Sequence, residues 1–492
     1  MSDLPSHALQ PWLKRAAITF VNHAGAPLVK VVPRRHLHKA ADLGVGFSPV
    51  ADAFGVDGRI APQHRCARPD EDLRLHAVAE ALVPLEPDRG WAWAPGERRW
   101  RDGRAYEADQ RSFCRLQQEQ LQQLGLELQA GFELEWMVFA GDGATGMAPA
   151  FAGGPYGADR LVEGLDYASE ICDALDAAAL DWLQFHPEYG ASQFELSLAH
   201  SSAVEAADRL VLARLVIQRV SRRLGLRCSF TPKLSGDQVG NGGHVHFSLR
   251  RQGQPVLQGG DGPGGVSLEG AALIAGVLHH LPALLPIACP LTASYVRLAP
   301  SSWSAPYQVW GIENREAALR LVPTSLDQVP AHLELKVADL GANPYLLLGS
   351  LQVLAMEALR DSVPLPEPVR GDPAFADGTT AAHPRLPQSL SEARPALASS
   401  TVLSAAMGEL LHGSVLDNID AEIARCDGLS SDQVIASTRW WPLVGGAQLT
   451  AASNRCHRKQ GSSVSRSPRV WPRFTQSAMA SAVAAAISTP LR

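Results

Sequence analysis

The sequence predicts an α+β protein, with a small sheet-rich N-terminal domain at residues 16–107 and a larger domain of mixed helices and strands at residues 108–445. In the first region, short apolar runs are broken by glycine and proline, a pattern typical of short strands joined by turns. In the second, segments whose apolar residues recur every three or four positions alternate with short strand-like segments. The chain has 492 residues, of which 46% are apolar, so a large core can form and global disorder is excluded.

The N-terminal region contains three apolar stretches that predict strands. Ile18 to Pro33 predicts two short strands joined by a turn at residues 23–25. The other two stretches, Gly44 to Asp57 and Leu82 to Trp100, continue the same pattern. These stretches predict a small sheet.

The larger domain is predicted to begin with a helix over Asp109 to Leu124, which is rich in Gln, Arg and Leu. Further helices are predicted where apolar residues step by four and three, and strands where short apolar runs adjoin glycines. The predicted helices cover residues 161–175, 206–220 and 345–359, and the predicted strands residues 131–139, 185–198 and 243–249. This alternation predicts a large antiparallel or mixed sheet with packed helices.

Charge and cysteine usage exclude several classes of protein. Lys and Arg number 44 and Asp and Glu number 50, a net charge of −6 that does not indicate a nucleic-acid binder. Seven scattered cysteines without a C-x-x-C pair predict a reduced compartment and no zinc-finger framework. The N-terminus has no signal-peptide pattern, and the uncharged run Gly270 to Val296 contains prolines that favour a buried helix followed by a loop. A cytoplasmic protein without a membrane partner is expected.

The C-terminal segment, residues 446–492, differs from the rest of the chain. Residues 433–492 contain no Asp or Glu but eight Lys or Arg. A basic tail of this kind can bind nucleic acid or a membrane surface, but its Ser, Ala and Arg content favours a disordered extension.

Pairs of acidic side chains mark two of the predicted strands. Glu133 and Glu135 are two residues apart, so on a strand both project from one face. Glu188 and Glu195 flank a Gly-Ala-Ser turn that would bring neighbouring strands together. Each pair alone is also compatible with a solvated strand face or with surface acids.

Histidines and basic residues complete a candidate site. His244 and His246 share one face of a strand that follows a glycine-rich segment. Further along the chain, short predicted strands carry five more charged residues, namely Arg297, Arg315, Arg320, Glu334 and Lys336. Oxygen-rich ligation without thiols suits Mg²⁺ or Mn²⁺ better than Zn²⁺, and such metals beside arginines suit phosphoryl transfer from a nucleotide. Neither a P-loop nor a complete Rossmann glycine motif is present.

Taken together, six motifs in order resemble the glutamine synthetase family of the bacterial, dodecamer-forming kind. They are E-x-E, E-(6)-E, G-x-H-x-H-x-S-L, S-Y-x-R-L, N-R-x-A-x-x-R and E-x-(K/R)-x-x-D-x-x-A-N-P-Y, within residues 131–348. The N-terminal VNHAGAPLVKVVP resembles the β-grasp domain of this family more weakly. The resemblance implies a β-grasp domain followed by a glutamine-synthetase-type catalytic domain.

The resemblance also implies a reaction in which ATP phosphorylates the γ-carboxylate of glutamate and a nitrogen nucleophile then displaces phosphate. It implies two Mg²⁺ or Mn²⁺ ions, with ATP as co-substrate. The implied ligands of the first ion are Glu135, Glu188 and Glu195, and those of the second are Glu133, His244 and Glu334.

The remaining implied roles concern nucleotide and substrate. His246, Ser248 and Arg320 would contact ATP. Gly240, Arg297, Glu135 and Lys336 would bind the substrate. Arg315 and Arg297 would act in catalysis, with Arg315 and Arg320 stabilising the phosphates.

Several positions depart from the family pattern. Ser304 and Ser48 stand where two acids would favour binding of ammonium, and Lys336 replaces an arginine. Val239 and Ala293 replace two asparagines. The chain therefore resembles the γ-glutamylpolyamine and related amine synthetases most closely in character, and an amine other than ammonia is the expected acceptor. Trp303 is a candidate to pack against it.

Two alternatives stay open at this stage. A glutamine-synthetase-like scaffold or regulatory oligomer without activity would explain the altered substrate positions. A metal-dependent amidohydrolase would explain His244 and His246 but would leave the glutamates without a role. The resemblance further implies a homo-oligomer with active sites shared between neighbouring subunits of a ring.

Overall fold

The computed structural model describes residues 11–141, 147–324, 329–361, 363–375 and 383–441. The tail predicted at residues 446–492 lies outside these ranges, so its predicted disorder stays a prediction.

The N-terminal part of the chain forms a six-stranded sheet. Its strands are β1 (Arg15–Val21), β2 (Pro27–Pro33), β3 (Val45–Phe47), β4 (Leu73–Ala77), β5 (Val83–Glu86) and β6 (Trp91–Trp100). Five strands run in the order β2-β1-β6-β4-β3, β5 pairs with β6, and β1 and β6 are parallel. One helix, α1 (Leu37–Asp42), contacts β4. This grasp-like arrangement confirms the predicted small sheet domain, although β4 falls outside the three apolar stretches.

A second, ten-stranded sheet forms the body of the catalytic part. Its strands are β7 (Leu126–Ala140), β8 (Trp182–Pro187), β9 (Gln193–Leu198), β10 (Ser201–Ser202), β11 (Leu226–Ser229), β12 (Gly243–Arg251), β13 (Gln254–Pro255), β14 (Trp310–Ile312), β15 (Leu319–Val322) and β16 (His332–Leu335). Seven strands run in the order β14-β15-β16-β12-β7-β9-β8, and β14 and β15 are parallel. The sheet is therefore mixed and mainly antiparallel.

Ten further helices are present in the described part of the chain and pack on this sheet or on one another. They are α2 (Gln110–Gln123), α3 (Ala158–Glu163), α4 (Leu165–Ala177), α5 (Ala203–Arg223), α6 (Leu268–Ala288), α7 (Thr292–Arg297), α8 (Pro344–Ala358), α9 (Leu390–Ala398), α10 (Thr401–Cys426) and α11 (Ser431–Thr438). Short 3₁₀ turns lie at Arg34–His36, Pro49–Ala53, Ala79–Ala81, Pro87–Arg89 and Pro263–Gly265.

The helix predicted over residues 345–359 is the centre of the core. In α8 every residue except Glu357 is buried, and α2, α5 and α6 pack against it. Asn343 caps its N-terminus by accepting hydrogen bonds from the amides of Tyr345 and Leu346. The uncharged run from residue 270 also forms a core helix. Among the described residues α6 alone is apolar and long enough to cross a membrane, and 72% of its most apolar window is buried.

Several local predictions are corrected by the structure. Arg315 and Lys336, expected on short strands, lie in the turns that follow β14 and β16. The single helix predicted over residues 161–175 is two helices, because the chain breaks at Gly164, which ends α3 and precedes α4. Arg297 was expected on a short strand but is the last residue of helix α7. Pro290 lies in the break between the two helices, since α6 ends at Ala288 and α7 begins two residues after the proline.

A buried ion cluster joins the first sheet to α2. Arg98 on β6 has a fully buried side chain and donates through Nη1 to both carboxylate oxygens of Asp52, at 2.7 and 2.8 Å. Its Nε donates to Asp109 at 2.9 Å, and its Nη2 donates to Gln110 at 2.7 Å. Asp109 also caps α2 by accepting from the amide of Ser112. The charge of one arginine thus compensates two buried carboxylates.

His23, beside this cluster, predicts a pH dependence of stability. Burial lowers the pKa of His23 from 6.5 to about 4. Asp52 and Asp417 oppose this shift, whereas the positive charge of Arg98 and the neighbouring His64 add to it. The unfolded chain therefore binds a proton between pH 6.5 and 4 that the folded chain does not, so stability is lost as the pH falls through this window. The resulting loss in the free energy of unfolding reaches about 3 kcal/mol once His23 is protonated in both the folded and the unfolded state.

Replacement of His23 by Gln should flatten the dependence of the unfolding free energy on pH between about 6.5 and 4. Chemical denaturation across this range measures it. Exposed His38, replaced in the same way, serves as the control and should leave the profile unchanged. A profile of the His23→Gln variant as steep as that of the wild type would contradict the assignment.

Candidate active site

The register of the second sheet brings the predicted metal-ligating residues onto neighbouring strands. His244 on β12 pairs with Glu133 on β7, and Glu135 on β7 pairs with Glu195 on β9. On the other side of β12, His246 pairs with Glu334 on β16. Because side chains of directly paired residues project from the same face, these residues converge at one place.

The described residues contain three overlapping groups of potential metal ligands, and within each group the ligand atoms lie within 4.8 Å of one another. The groups are Glu133, His246 and Glu334; Glu133, Glu195 and His244; and His186, Glu188 and Glu195. They contain five of the six predicted metal ligands. The sixth, Glu135, has Oε1 3.7 Å from Nε2 of His244. The structure therefore brings all six predicted metal ligands into one cluster.

The carboxyl groups of the cluster have pKa values shifted in opposite directions, because they outnumber the nearby positive charges. Burial alone would raise the pKa of Glu133, but hydrogen bonds from His244 and His246 hold it well below its usual range. The pKa of Glu334 is also lowered, because Lys336, His246 and His244 outweigh its burial. Burial and the neighbouring glutamates raise the pKa of Glu195 to about 7. Such a donor set, with more carboxylate than compensating charge, fits a hard divalent cation.

Glu135 is held in place by groups outside the cluster. Its Oε2 accepts hydrogen bonds from the amide of Gly242 at 2.9 Å and from Nε2 of Gln193 at 3.0 Å. A Cβ on Gly242 would approach Nε2 of His244 to 2.3 Å, so a larger residue there would displace the His244 ring. The other carboxylate oxygen, Oε1, is the one nearer to His244.

Three residues that the sequence did not single out support the cluster. Nε2 of His186 lies 3.2 Å from Oε1 of Glu195, and this hydrogen bond raises the pKa of His186 to about 9. Arg160 is 1% exposed and donates to the backbone carbonyl of Glu188 at 2.5 Å. Gln193 holds Glu135. His186 was detectable, because it precedes Glu188 by two residues and shares its strand periodicity. Gln193 gives the same signal, because it precedes Glu195 by two residues on β9. Arg160 gives no such signal.

Arg297 and Gly240, both predicted to bind substrate, lie in contact. A Cβ on Gly240 would approach Cγ of Arg297 to 2.6 Å and the carbonyl oxygen of Pro232 to 2.4 Å. The Arg297 side chain is buried, and its Nη2 donates to the carbonyl oxygens of Val337 and Ala338 at 2.9 and 2.8 Å. The arginine thus holds the turn that follows β16.

Basic residues surround Glu334. Nζ of Lys336 lies 3.3 Å from Oε1, and Nη1 of Arg320 donates to Oε2 at 3.0 Å. Ser248 shares the face of β12 that carries His244 and His246. Arg315 is exposed in the turn between β14 and β15, and it forms no ion pair with the described residues. Of the predicted phosphate-binding arginines, the structure therefore brings Arg320, but not Arg315, into contact with the cluster.

The segment Ala299–Pro306, here called the flap, begins two residues after Arg297. Its residues Ser301, Trp303 and Ala305 all have positive φ, at 53°, 56° and 59°, a conformation that costs non-glycine residues energy. Ser304 is buried and its Oγ accepts from the amide of Ala299 at 3.0 Å, whereas Trp303 is 56% exposed. The flap is therefore a tight loop in which the Ser304 side chain is buried and the Trp303 side chain is exposed.

The other departures from the family pattern are placed as follows. Ser48 caps a 3₁₀ turn of the first sheet domain by accepting from the amide of Val50 at 3.3 Å. The Val239 side chain lies beside Gly190, and Ala293 is buried in α7.

Comparison with known proteins agrees with this geometry. The model of the glutamine synthetase catalytic domain matches residues 107–435. Gamma-glutamylpolyamine synthetase GlnA3 of Streptomyces coelicolor is 42% identical over 430 residues, covering 86% of this chain and 92% of the relative. The glutamine synthetase of Pyrococcus horikoshii is 28% identical over 71% of this chain and 75% of the relative.

Solved structures show the same fold. The crystal structure of a novel glutamine synthase homolog has a TM-score of 0.77 and 28% identity, covering 87% of this chain and 98% of that chain. GmaS in complex with ADP has a TM-score of 0.76 and 25% identity, covering 86% of this chain and 96% of that chain.

The cluster of carboxylates and imidazoles beside arginines, on a sheet of this topology, defines a carbon–nitrogen ligase. The chain belongs to the glutamine synthetase family. This family generally uses ATP and divalent metal ions, and its members act on glutamate and amines, typically as oligomers. The amidohydrolase alternative is wrong, because His244 and His246 lie on an inner antiparallel strand rather than at the end of a barrel strand.

Proposed function

We propose that the protein joins the γ-carboxylate of glutamate to an amine other than ammonia, at the expense of ATP and through an acyl phosphate. The observation that carries this proposal is the convergence of all six predicted ligand side chains beside a flap that has Ser304 in place of an acid. The relative that is 42% identical is named as a gamma-glutamylpolyamine synthetase, which supports a polyamine or a similar amine as acceptor.

The residues present fit two divalent cations, for which Mg²⁺ and Mn²⁺ are the candidates. We assign Glu135, Glu188 and Glu195 to one ion and Glu133, His244 and Glu334 to the other. When bound, such ions neutralise negative charge on the phosphoryl oxygens. Lys336 and Arg320, which now contact Glu334, would supply further positive charge there.

In the proposed reaction, an oxygen of the substrate γ-carboxylate attacks the γ-phosphorus of ATP, and ADP leaves. The amine nitrogen then attacks the acyl carbon, loses a proton and expels phosphate. The protein contributes mainly position and charge. Arg320 would stabilise the transferring phosphoryl group, and Arg315 would need to move from its exposed turn to do so. His246 and Ser248 would orient ATP, and Gly240 leaves room for glutamate beside Arg297.

The acceptor side supports an amine bulkier than ammonia. Neither Ser304 nor Ser48 offers a negative charge that would attract ammonium. Trp303 is 56% exposed on the flap, so its ring is available to pack against the alkyl chain or the charge of an amine. We further propose a cytoplasmic ring oligomer, a dodecamer by family resemblance, with neither nucleic acid nor membrane as a partner.

Release of ADP by the purified protein with Mg²⁺, ATP and glutamate tests the proposed function. Parallel reactions contain no acceptor, ammonia, hydroxylamine, monoamines or polyamines. Turnover with hydroxylamine and one amine, well above turnover with ammonia, is the expected result. Equal turnover with ammonia and the best amine would contradict the choice of acceptor. Failure of every reaction, together with absence of ATP binding by calorimetry, would favour the scaffold alternative.

Mg²⁺ or Mn²⁺ should stabilise the protein, because a cation that binds only the folded state shifts the unfolding equilibrium. At a free concentration of about 100 times Kd, the expected gain is about 2.7 kcal/mol. A thermal scan with and without the metal measures this as a higher midpoint. A midpoint that neither ion moves, at millimolar concentration, would contradict the metal assignment.

A further inference from the structure

Glu316 is a buried acid to which neither the sequence motifs nor the proposed reaction assigns a role. It lies in the turn between β14 and β15 and is 7% exposed. The neighbouring acid in the same turn, Glu313, is exposed and pairs with Arg320. An acid that is buried without a paired cation is unusual in a protein interior.

One oxygen of Glu316 holds the flap. Oε1 accepts a hydrogen bond from the backbone amide of Trp303 at 2.6 Å. Trp303 is the middle one of the three flap residues with positive φ, so this bond fixes the loop where its backbone is most strained. A second acid, Asp372, binds the flap from outside by accepting from Oγ of Ser301 at 2.6 Å.

The other oxygen of Glu316, Oε2, is buried and has no donor in regular hydrogen-bond geometry among the described residues. The amide of Ala305 also lowers the pKa of this carboxyl group, but it forms no well-aligned hydrogen bond with Oε2. Asp372 differs in this respect, because its Oδ1 accepts from the amide of Ala374 at 2.8 Å while Oδ2 accepts from Ser301. A buried carboxylate oxygen without a donor indicates that a ligand supplies the donor.

The surroundings indicate a cationic ligand at the edge of the catalytic cluster. Glu316 interacts electrostatically with Lys336, whose Nζ contacts Glu334 at 3.3 Å. Lys336 thus divides its charge between two acids, and Asp372 adds further negative charge. Burial raises the pKa of Glu316, and the charge of Asp372 adds to this rise. A protonated nitrogen would correct both the missing donor and the excess of negative charge.

We propose that Glu316 is a specificity-determining residue that binds the protonated, non-reacting nitrogen of a diamine or polyamine acceptor through Oε2 while Oε1 holds the flap, so that the other nitrogen is free to react unprotonated. This inference rests on the proposed function and names the charge state by which the acceptor is recognised. Ser304, buried beside Trp303 on the same flap, presents no competing charge. A cationic amine is therefore recognised by an acid outside the flap itself.

The variant Glu316→Gln tests the inference. Glutamine retains an oxygen that can accept from Trp303 but loses the charge. The acceptors compared are butylamine and 1,4-diaminobutane, both cationic at neutral pH, and hydroxylamine, which is mainly uncharged. The expected result is a rise in KM of about tenfold or more for 1,4-diaminobutane, which keeps one charged nitrogen while the other reacts. The KM values for butylamine, hydroxylamine, ATP and glutamate should change less than about twofold. The control, Asp372→Asn, removes a flap-contacting charge whose oxygens are both partnered and should change no KM more than about twofold.

An equal loss with 1,4-diaminobutane, butylamine and hydroxylamine would overturn the inference, because it would show that Glu316 only supports the flap. An unchanged KM for 1,4-diaminobutane would overturn it as well. If Glu316→Gln does not fold, Glu316→Asp decides. Retention of the wild-type preference for 1,4-diaminobutane over butylamine supports the inference, and loss of that preference overturns it. Failure of the wild-type protein with every acceptor would instead overturn the proposed function, a result distinct from these.

Discussion

Replacement of Glu135 by Gln is expected to lower kcat roughly a hundredfold to a thousandfold, with the fold intact. Glu135 adjoins the cluster, where its Oε1 is 3.7 Å from Nε2 of His244. Its Oε2 is already held by the amide of Gly242 and by Gln193. The substitution keeps the shape of the side chain but removes a preorganised charge, and such losses raise the activation free energy by several kcal/mol. Steady-state assays of ADP release with the best amine measure the effect.

A matched control lies on the same strand. Glu127 is exposed at the beginning of β7, and Glu127→Gln should leave kcat within about twofold of the wild type, as expected of a surface position. Glu135→Gln should also show a smaller rise of the thermal midpoint on addition of Mg²⁺. A kcat close to that of the wild type, with an unchanged metal response, would remove Glu135 from the proposed site.

The largest expected effect on stability is that of Arg98→Met. Arg98 compensates Asp52 and Asp109, and all three side chains are buried. Methionine fills much of the volume but leaves two carboxylates without a cation in the interior. Breaking a buried pair in this way costs about 3–5 kcal/mol. The guanidinium also lies 4.4 Å from the ring centroid of Phe20, a contact that would be lost.

Chemical denaturation of Arg98→Met should therefore show a clearly lower midpoint than that of the wild type, and both sheets should unfold in this transition. Arg104→Met is the control, because its ion pair with Asp102 is exposed and should contribute nothing measurable. Equal midpoints for the two variants would mean that the buried cluster does not couple the first sheet to α2.

Because alternate side chains of a strand lie on the same face, the sequence spacing was sufficient to predict which residues of the cluster share a face. Glu133 and Glu135, and likewise His244 and His246, are two residues apart, and the structure places each pair within the cluster. What the spacing could not give is the register. The pairing of Glu133 with His244 and of Arg320 with Glu334 depends on long-range hydrogen bonding between strands far apart in sequence.

Residues that support the cluster from outside were harder to predict. Gln193 shares a strand face with Glu195, but its hydrogen bond to Glu135 depends on the register between β7 and β9. Arg160 holds the backbone of Glu188, and nothing in its local sequence indicates this. Glu316 lies within a recognised motif, at a position where the motif allows any residue. Its significance depends on burial and on the flap amide of Trp303, which only the folded chain brings together.

The C-terminal helices α9, α10 and α11 are not predicted from the sequence either. In α10 the helical pattern is interrupted at Gly408, which has a φ of 73° inside the helix. Pro395 lies within α9. Tertiary packing overrides these local signals, since Leu403, Leu411 and Ile419 of α10 are buried in the main core.

Transfer of ¹⁸O from the γ-carboxylate of glutamate to phosphate tests the central claim most directly. The protein is incubated with ATP, Mg²⁺, a polyamine and glutamate labelled in the γ-carboxylate, and the phosphate and the organic product are analysed by mass spectrometry. Formation of an acyl phosphate predicts one ¹⁸O in each phosphate released, with a γ-glutamyl amide formed in equal amount. Unlabelled phosphate, or ADP formation without the amide, would contradict the proposed reaction.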